Sequence, residues 1–139
     1  MRNSILLLLF TFILLSCNTT NEWETLLDND LSKWDRYLSY KHQLGYDGHQ
    51  PKDADGNLIE PIGLNKEGYN VFTVTEEAGE DVLKISGEIY GCLVTQKEYR
   101  NYHLRLKMKW GNKKFDPRKK LLKDSGILYH SIGPLGAEY

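Results

Sequence analysis

The sequence predicts an all-β fold built from short antiparallel strands, in a sandwich or a barrel. Three observations carry that expectation. The segment NYHLRLKMKW, residues 101–110, alternates strictly between apolar and polar side chains. Several further apolar runs are short and separated by Gly- and Asp-containing turns. After Cys17, no stretch sustains a helical period over three turns.

The chain opens with a leader. Met1 to Ser4 carries one charge, Arg2, and is followed by ILLLLFTFILL, residues 5–15. That run fits the apolar region of a signal peptide and falls short of the about 20 residues that span a bilayer. It ends in Leu14-Leu15-Ser16-Cys17, which resembles the bacterial lipobox, in which the cysteine becomes the lipidated first residue. Residues 1–16 are therefore expected to be a lipoprotein signal peptide, Cys17 the lipidation site and residues 17–21 a polar tether. This places the protein on the bacterial cell envelope, membrane-bound through lipid.

Cleavage there removes one of the 18 basic residues and none of the 19 acidic ones. The remaining balance is slightly acidic and excludes a strong nucleic-acid footprint. The single basic cluster, KKFDPRKK at residues 113–120, contains Asp116 and Pro117 and reads as a solvated loop. With Cys17 lipidated, Cys92 stands alone in a strand-like run, where a lone cysteine reads as packing.

Residues 22–139 read as one domain. Strands are expected at residues 70–76, 81–87, 88–95, 101–110 and 126–132. Between the first two lies EAGED, a turn in which Gly79 can take positive φ. In residues 101–110, Tyr102, Leu104, Leu106, Met108 and Trp110 form the expected core face. His103, Arg105, Lys107 and Lys109 form the wet one.

Residues 42–66 read as a long Gly- and Pro-rich loop that borders a site. Within it, DADGN at residues 53–57 suggests calcium, but its glycine falls fourth where an EF-hand loop requires it sixth. A surface turn is the better reading.

Asp124, Ser125 and His130 contain the residue types of a hydrolytic triad. On a strand, five steps put Ser125 and His130 roughly 16 Å apart, far beyond proton transfer. No Gly-x-Ser-x-Gly elbow is present either. Parity offers another arrangement, with Asp124, Gly126, Leu128 and His130 on one face. The missing side chain at Gly126 leaves a gap between a carboxylate and an imidazole. That face suits a sugar ring, or is simply an exposed polar face.

At GLNKEGYNVFTV (residues 63–74), ISGEIYGCLVTQKEYRNYHLRLKMKWG (85–111) and DSGILYHSIGP (124–134) the chain resembles the 3-keto-disaccharide hydrolase family. The opening LLDNDLSKW, residues 26–34, and the lipoprotein leader also fit. Cys92 departs from a frequent family glycine, and Asn29-Asp30 departs from the usual Asn/Asp-Gly turn.

The resemblance implies a concanavalin A-like antiparallel β-sandwich, a jelly roll, with carbohydrate on a concave sheet face. It implies that residues 22–139 are the N-terminal part of that domain, inactive alone and lacking a Glu-x-Gln segment that supplies a principal site residue. It also implies cleavage of 3-keto-glycosides such as 3-keto-disaccharides, by β-elimination followed by water addition. Such chemistry needs a base and an oxyanion stabiliser, in place of the carboxylate pair of ordinary glycosidases. Asp124 and His130 are the candidate base and polariser. Trp110 and Tyr129 are candidates to stack on sugar, with core packing the competing role for Trp110. Lys97, Glu98 and Arg100 are candidate rim residues, and Glu88 is a further substrate-binding candidate. No cofactor is required with certainty, and a divalent metal is left open. The rival reading is a non-catalytic carbohydrate-binding lipoprotein on the same sandwich, because one fold hosts both lectins and enzymes.

Overall fold

A computed structural model describes residues 22–41 and 49–136. The signal peptide, Cys17, the tether, residues 42–48 of the long loop and residues 137–139 lie outside the described residues.

Five strands follow in chain order: β1 (Trp34–Lys41), β2 (Gly63–Leu64), β3 (Phe72–Glu77), β4 (Glu80–Ile85) and β5 (Ile89–Thr95). The first sheet has the order β2-β1-β5 and the second is the hairpin β3-β4. Every pairing is antiparallel. The described residues are thus all-β, as the short runs and turn residues require, and consistent with a sandwich.

The hairpin is dictated locally. Thr73, Val74 and Thr75 favour the pleated backbone, and Ala78 and Gly79 both take positive φ, 55° and 82°. Two such residues match the twist of the flanking strands and fix the register. Phe72 pairs with Ile85 and Glu77 with Glu80. The positive φ expected at Gly79 is present.

β1 is not apparent from periodicity. Its partner β5 fixes it across a long stretch of chain, with Trp34 opposite Thr95 and Leu38 opposite Gly91. The ladder shifts register between Leu38 and Lys41. Asn65 closes the other side, accepting from the Arg36 N–H at 2.8 Å and donating to Asp35 at 2.9 Å. Upstream, Asp28 accepts the Ser32 N–H at 2.8 Å, a side-chain-to-backbone bond across four residues that bends the chain into β1. In that turn positive φ falls on Leu31, at 54°, rather than on Asn29 or Asp30.

Leu31, Leu38, Val71, Phe72 and Ile89 form one buried cluster. Leu27, Trp34, Ile62, Val74, Leu83 and Leu93 pack around it. The cluster therefore joins side chains of both sheets. The Trp34 indole meets it while its N–H donates to the Leu26 carbonyl at 2.7 Å, as a half-buried Trp requires.

Two expectations are corrected. Residues 101–110 and 126–132 carry no strand ladder. Tyr102, Leu104, Leu106, Met108 and Trp110 are exposed rather than turned into the core, and so are the alternate polar residues. Alternation encodes which side chains share a face. Burial of that face needs a partner layer, and the described residues supply none.

The DADGN loop is a surface turn. Asp53 Oδ1 accepts from the N–H groups of Asp55 and Asn57 at 3.0 and 2.8 Å, and Oδ2 from the Asn57 amide at 3.2 Å. These bonds hold the Asp53 carboxyl below its ordinary pKa.

Candidate functional site

Three regions gather the chemistry-bearing side chains. The first is an open cleft of about 370 Å³ lined by Lys41, Glu88, Ile89, Phe115 and Asp116. Lys41 ends β1 and pairs with Ile89 at the start of β5. Glu88 immediately precedes β5. The β1–β5 ladder therefore brings Lys41 and Glu88 to the same end of the sheet, where both line the cleft. Phe115 and Asp116 come from the basic loop and close the other wall. Two carboxylates, one ammonium and an aromatic ring suit a polyhydroxylated ligand, whose hydroxyls need charged partners and whose ring face needs an apolar surface.

The second region is a knot centred on Glu24. Its Oε2 accepts from Lys97 Nζ at 3.1 Å and from the Tyr99 hydroxyl at 3.3 Å, and Lys33 Nζ lies 3.6 Å from Oε1. The Lys97 ammonium also sits 4.8 Å from the Tyr99 ring centroid. The hydrogen bond to Lys97 pulls the Glu24 carboxyl below its ordinary value, and the same bond raises Lys97. Lys97 is thus engaged in a surface ion pair. Glu98 and Arg100 are exposed beside it, as a solvated turn or rim would be.

The third region is the exposed segment at residues 123–132. The Asp124 side chain is 78% exposed, with Arg118 Nη2 3.7 Å from Oδ2. The open space expected at Gly126 is there, since a Cβ built on it meets nothing within 4 Å. His130 takes φ 56°, so strict alternation fails at that residue and parity no longer places its ring beside Leu128. Its imidazole packs edge-on against Tyr129, with centroids 5.3 Å apart. Tyr129 and Trp110 are both exposed.

Cys92 is a free, half-buried thiol opposite Tyr37. Burial pushes its pKa up, which disfavours the nucleophilic thiolate and agrees with a packing role. Among the described residues, no three His, Cys, Asp or Glu side chains come together to hold a metal.

A profile of 3-keto-alpha-glucoside-1,2-lyase-like domains matches residues 22–139. The chain belongs to that family. The match takes in both sheets, the cleft, the Glu24 knot and the whole segment bearing Asp124 and His130. Searches among curated proteins and solved structures found no match. Within this lyase-like domain, Glu88 is a sequence-derived candidate that lines the described cleft. Glu24, Lys41, Phe115 and Asp116 carry no local motif, and long-range folding alone brings them to their partners.

Proposed function

We propose that the protein is an envelope-anchored enzyme that cleaves 3-keto-glycosides. The observation that carries this reading is the lyase-like domain match over residues 22–139. A ketone at carbon 3 acidifies the proton on carbon 2. Asp124 takes that proton, and the electron pair flows into an enolate. Six strand steps would hold His130 about 20 Å away at a neighbouring subsite. His130 therefore donates to the enolate oxygen only where the turn at Asp124 folds that carboxylate back onto the same ring. The enolate reforms the ketone as the bond from carbon 1 to the glycosidic oxygen breaks, and the leaving oxygen gains a proton. Water then adds across the enone, hydroxyl to carbon 1 and proton to carbon 2, which completes net hydrolysis.

The exposure of Asp124 supports its role as base, since the carboxylate is open to a bound substrate apart from the Arg118 contact. The gap at Gly126 leaves room for a ring beside it. Glu88 and its cleft, with Lys41, Asp116 and Phe115, supply sugar contacts. Lys97, Glu98 and Arg100 follow the opposite end of β5 from that cleft. Anchoring through a lipid on Cys17 follows from the leader and puts the domain at the membrane surface.

The exposed rings of Tyr129 and Trp110 favour a second reading, non-catalytic carbohydrate binding. The full-length protein assayed on 3-keto-glycosides, with the unoxidised glycosides as controls, separates the two. Turnover of the keto substrates alone is expected. Sugar binding without turnover would replace the enzyme by a lectin.

A further inference from the structure

The described chain begins beside an unusual surface residue. Trp23 is 65% exposed, yet it is not loose. The Arg105 guanidinium lies 5.1 Å from its ring centroid, so the indole is held from one side and open on the other. Next to it, Glu24 is contacted by both Lys33 and Lys97. Three cations, Lys33, Lys97 and Arg105, thus surround one carboxylate and one exposed indole. Such a mixed aromatic and basic patch matches the interfacial zone of a phospholipid layer, where Trp sits at headgroup depth and cations meet anionic lipids.

The position along the chain selects this partner. Five residues lie between Cys17 and Trp23, and the six steps reach at most about 22 Å even when fully extended. A lipid on Cys17 therefore keeps Trp23 close to the bilayer surface whatever path the tether takes.

We propose that Trp23, Arg105, Lys33 and Lys97 form the face through which the domain rests on an anionic phospholipid surface. The proposal rests on the anchoring of Cys17 in the functional reading above. A lipid on Cys17 holds the domain at the surface but does not by itself set which side of it faces the bilayer. The Trp23 face fixes which side of the domain meets the membrane.

The test is tryptophan quenching by lipid bromine. The full chain is reconstituted into phosphatidylcholine vesicles with brominated acyl chains, with and without one-fifth phosphatidylglycerol. Trp23→Phe is compared with the parent, which leaves Trp34 and Trp110 as a common background. Bromine quenching is expected to fall at least twofold in Trp23→Phe. Arg105→Gln is expected to weaken it only where phosphatidylglycerol is present. Both positions are at the surface, and an unchanged circular dichroism spectrum checks the fold. Equal quenching in parent and Trp23→Phe overturns the proposal, and equal quenching with concentration-dependent dimerisation assigns the patch to a second copy. Lipid labelling of Cys17 is scored separately. An unlabelled chain that still shows Trp23 quenching retains the membrane face and loses only the anchor.

Discussion

Gly91 stands opposite Leu38 in the β1–β5 ladder, and a Cβ on Gly91 would overlap the Tyr37 carbonyl. The same Cβ would lie 3.0 Å from Leu38 Cδ2 and 3.3 Å from Leu38 Cα. Backbone on the partner strand cannot swing aside as a long side chain does. The requirement for glycine here is space, since Gly91 is not among the positive-φ residues.

Gly91→Ala is therefore expected to cost about 1–3 kcal/mol, the usual range for overpacking. Gly111→Ala is the control, because a Cβ there meets nothing within 4 Å, and its effect should stay within about 0.5 kcal/mol. Urea unfolding of the two variants beside the parent decides it. Equal midpoints would mean that β1 and β5 do not approach as closely as described.

Leu38 and Leu106 make a second contrasting pair. Leu38 is 3% exposed within the cluster shared by both sheets, whereas Leu106 is 51% exposed. Leu38→Ala should cost about 2–5 kcal/mol, as deletion of buried methyl groups does. Leu106→Ala should change this chain by no more than about 0.5 kcal/mol. A large loss on Leu106→Ala would show that the alternating face of residues 101–110 is covered after all.

That contrast also marks what the sequence could carry. The β3–β4 hairpin was legible because its signals are local: Phe, Thr and Val before a turn with Gly79, and Val, Leu and Ile after it. β1 was not, since its burial does not alternate along WDRYLSYK and its pairing depends on β5. In residues 101–110 the period was plain, but a period names a face and not what lies against it. The same limit governs the site. Glu88 could be singled out, yet Lys41 and Asp116 reach the same cleft only because the chain folds. At His130, positive φ broke a parity argument that assumes a regular strand.

The Glu24 knot predicts a pH dependence. The bond from Lys97 holds Glu24 below its ordinary 4.5 and Lys97 above its ordinary 10.5. A depressed carboxyl contributes above its unfolded value and loses that contribution as pH falls through the folded one. A raised ammonium contributes below its unfolded value and loses that contribution as pH rises through the folded one. Glu24→Gln should therefore lower the unfolding midpoint slightly between these limits, with the gap to the parent closing in acid and again in strong base. The group is fully at the surface, so added salt should shrink the gap too. A gap that persisted below the carboxylate range would assign the loss to something other than charge.

The leader predicts membrane attachment. Cys17→Ala should move the protein from the membrane fraction to the soluble fraction and abolish incorporation of labelled lipid, because no other acceptor is proposed. Lipid labelling that survived the substitution would disprove the lipobox reading.

The last prediction concerns chemistry at Asp124 and His130. Asp124 is the exposed carboxylate beside the gap at Gly126, and the proposed mechanism assigns it one task, removal of the carbon-2 proton. General-base catalysis is worth roughly 10²–10⁴-fold, so Asp124→Asn should lower kcat in the full-length protein by about that factor while leaving sugar binding nearly unchanged. His130 has a different task. Its imidazole is edge-on to Tyr129 and is proposed to polarise the ketone oxygen. If the contact is equally strong to ketone and enolate, His130→Ala acts on KM, and if it strengthens in the enolate the loss appears in kcat. Measuring both constants on a 3-keto-glycoside therefore distinguishes positioning from oxyanion stabilisation. The two groups also differ in what the substitution leaves behind. The amide introduced by Asp124→Asn keeps the shape of the side chain and loses the proton acceptor, so wild-type turnover by that variant would remove Asp124 from the mechanism. The base would then have to be another carboxylate, and Glu88 in its cleft with Lys41 is the first to test by the same substitution to the amide.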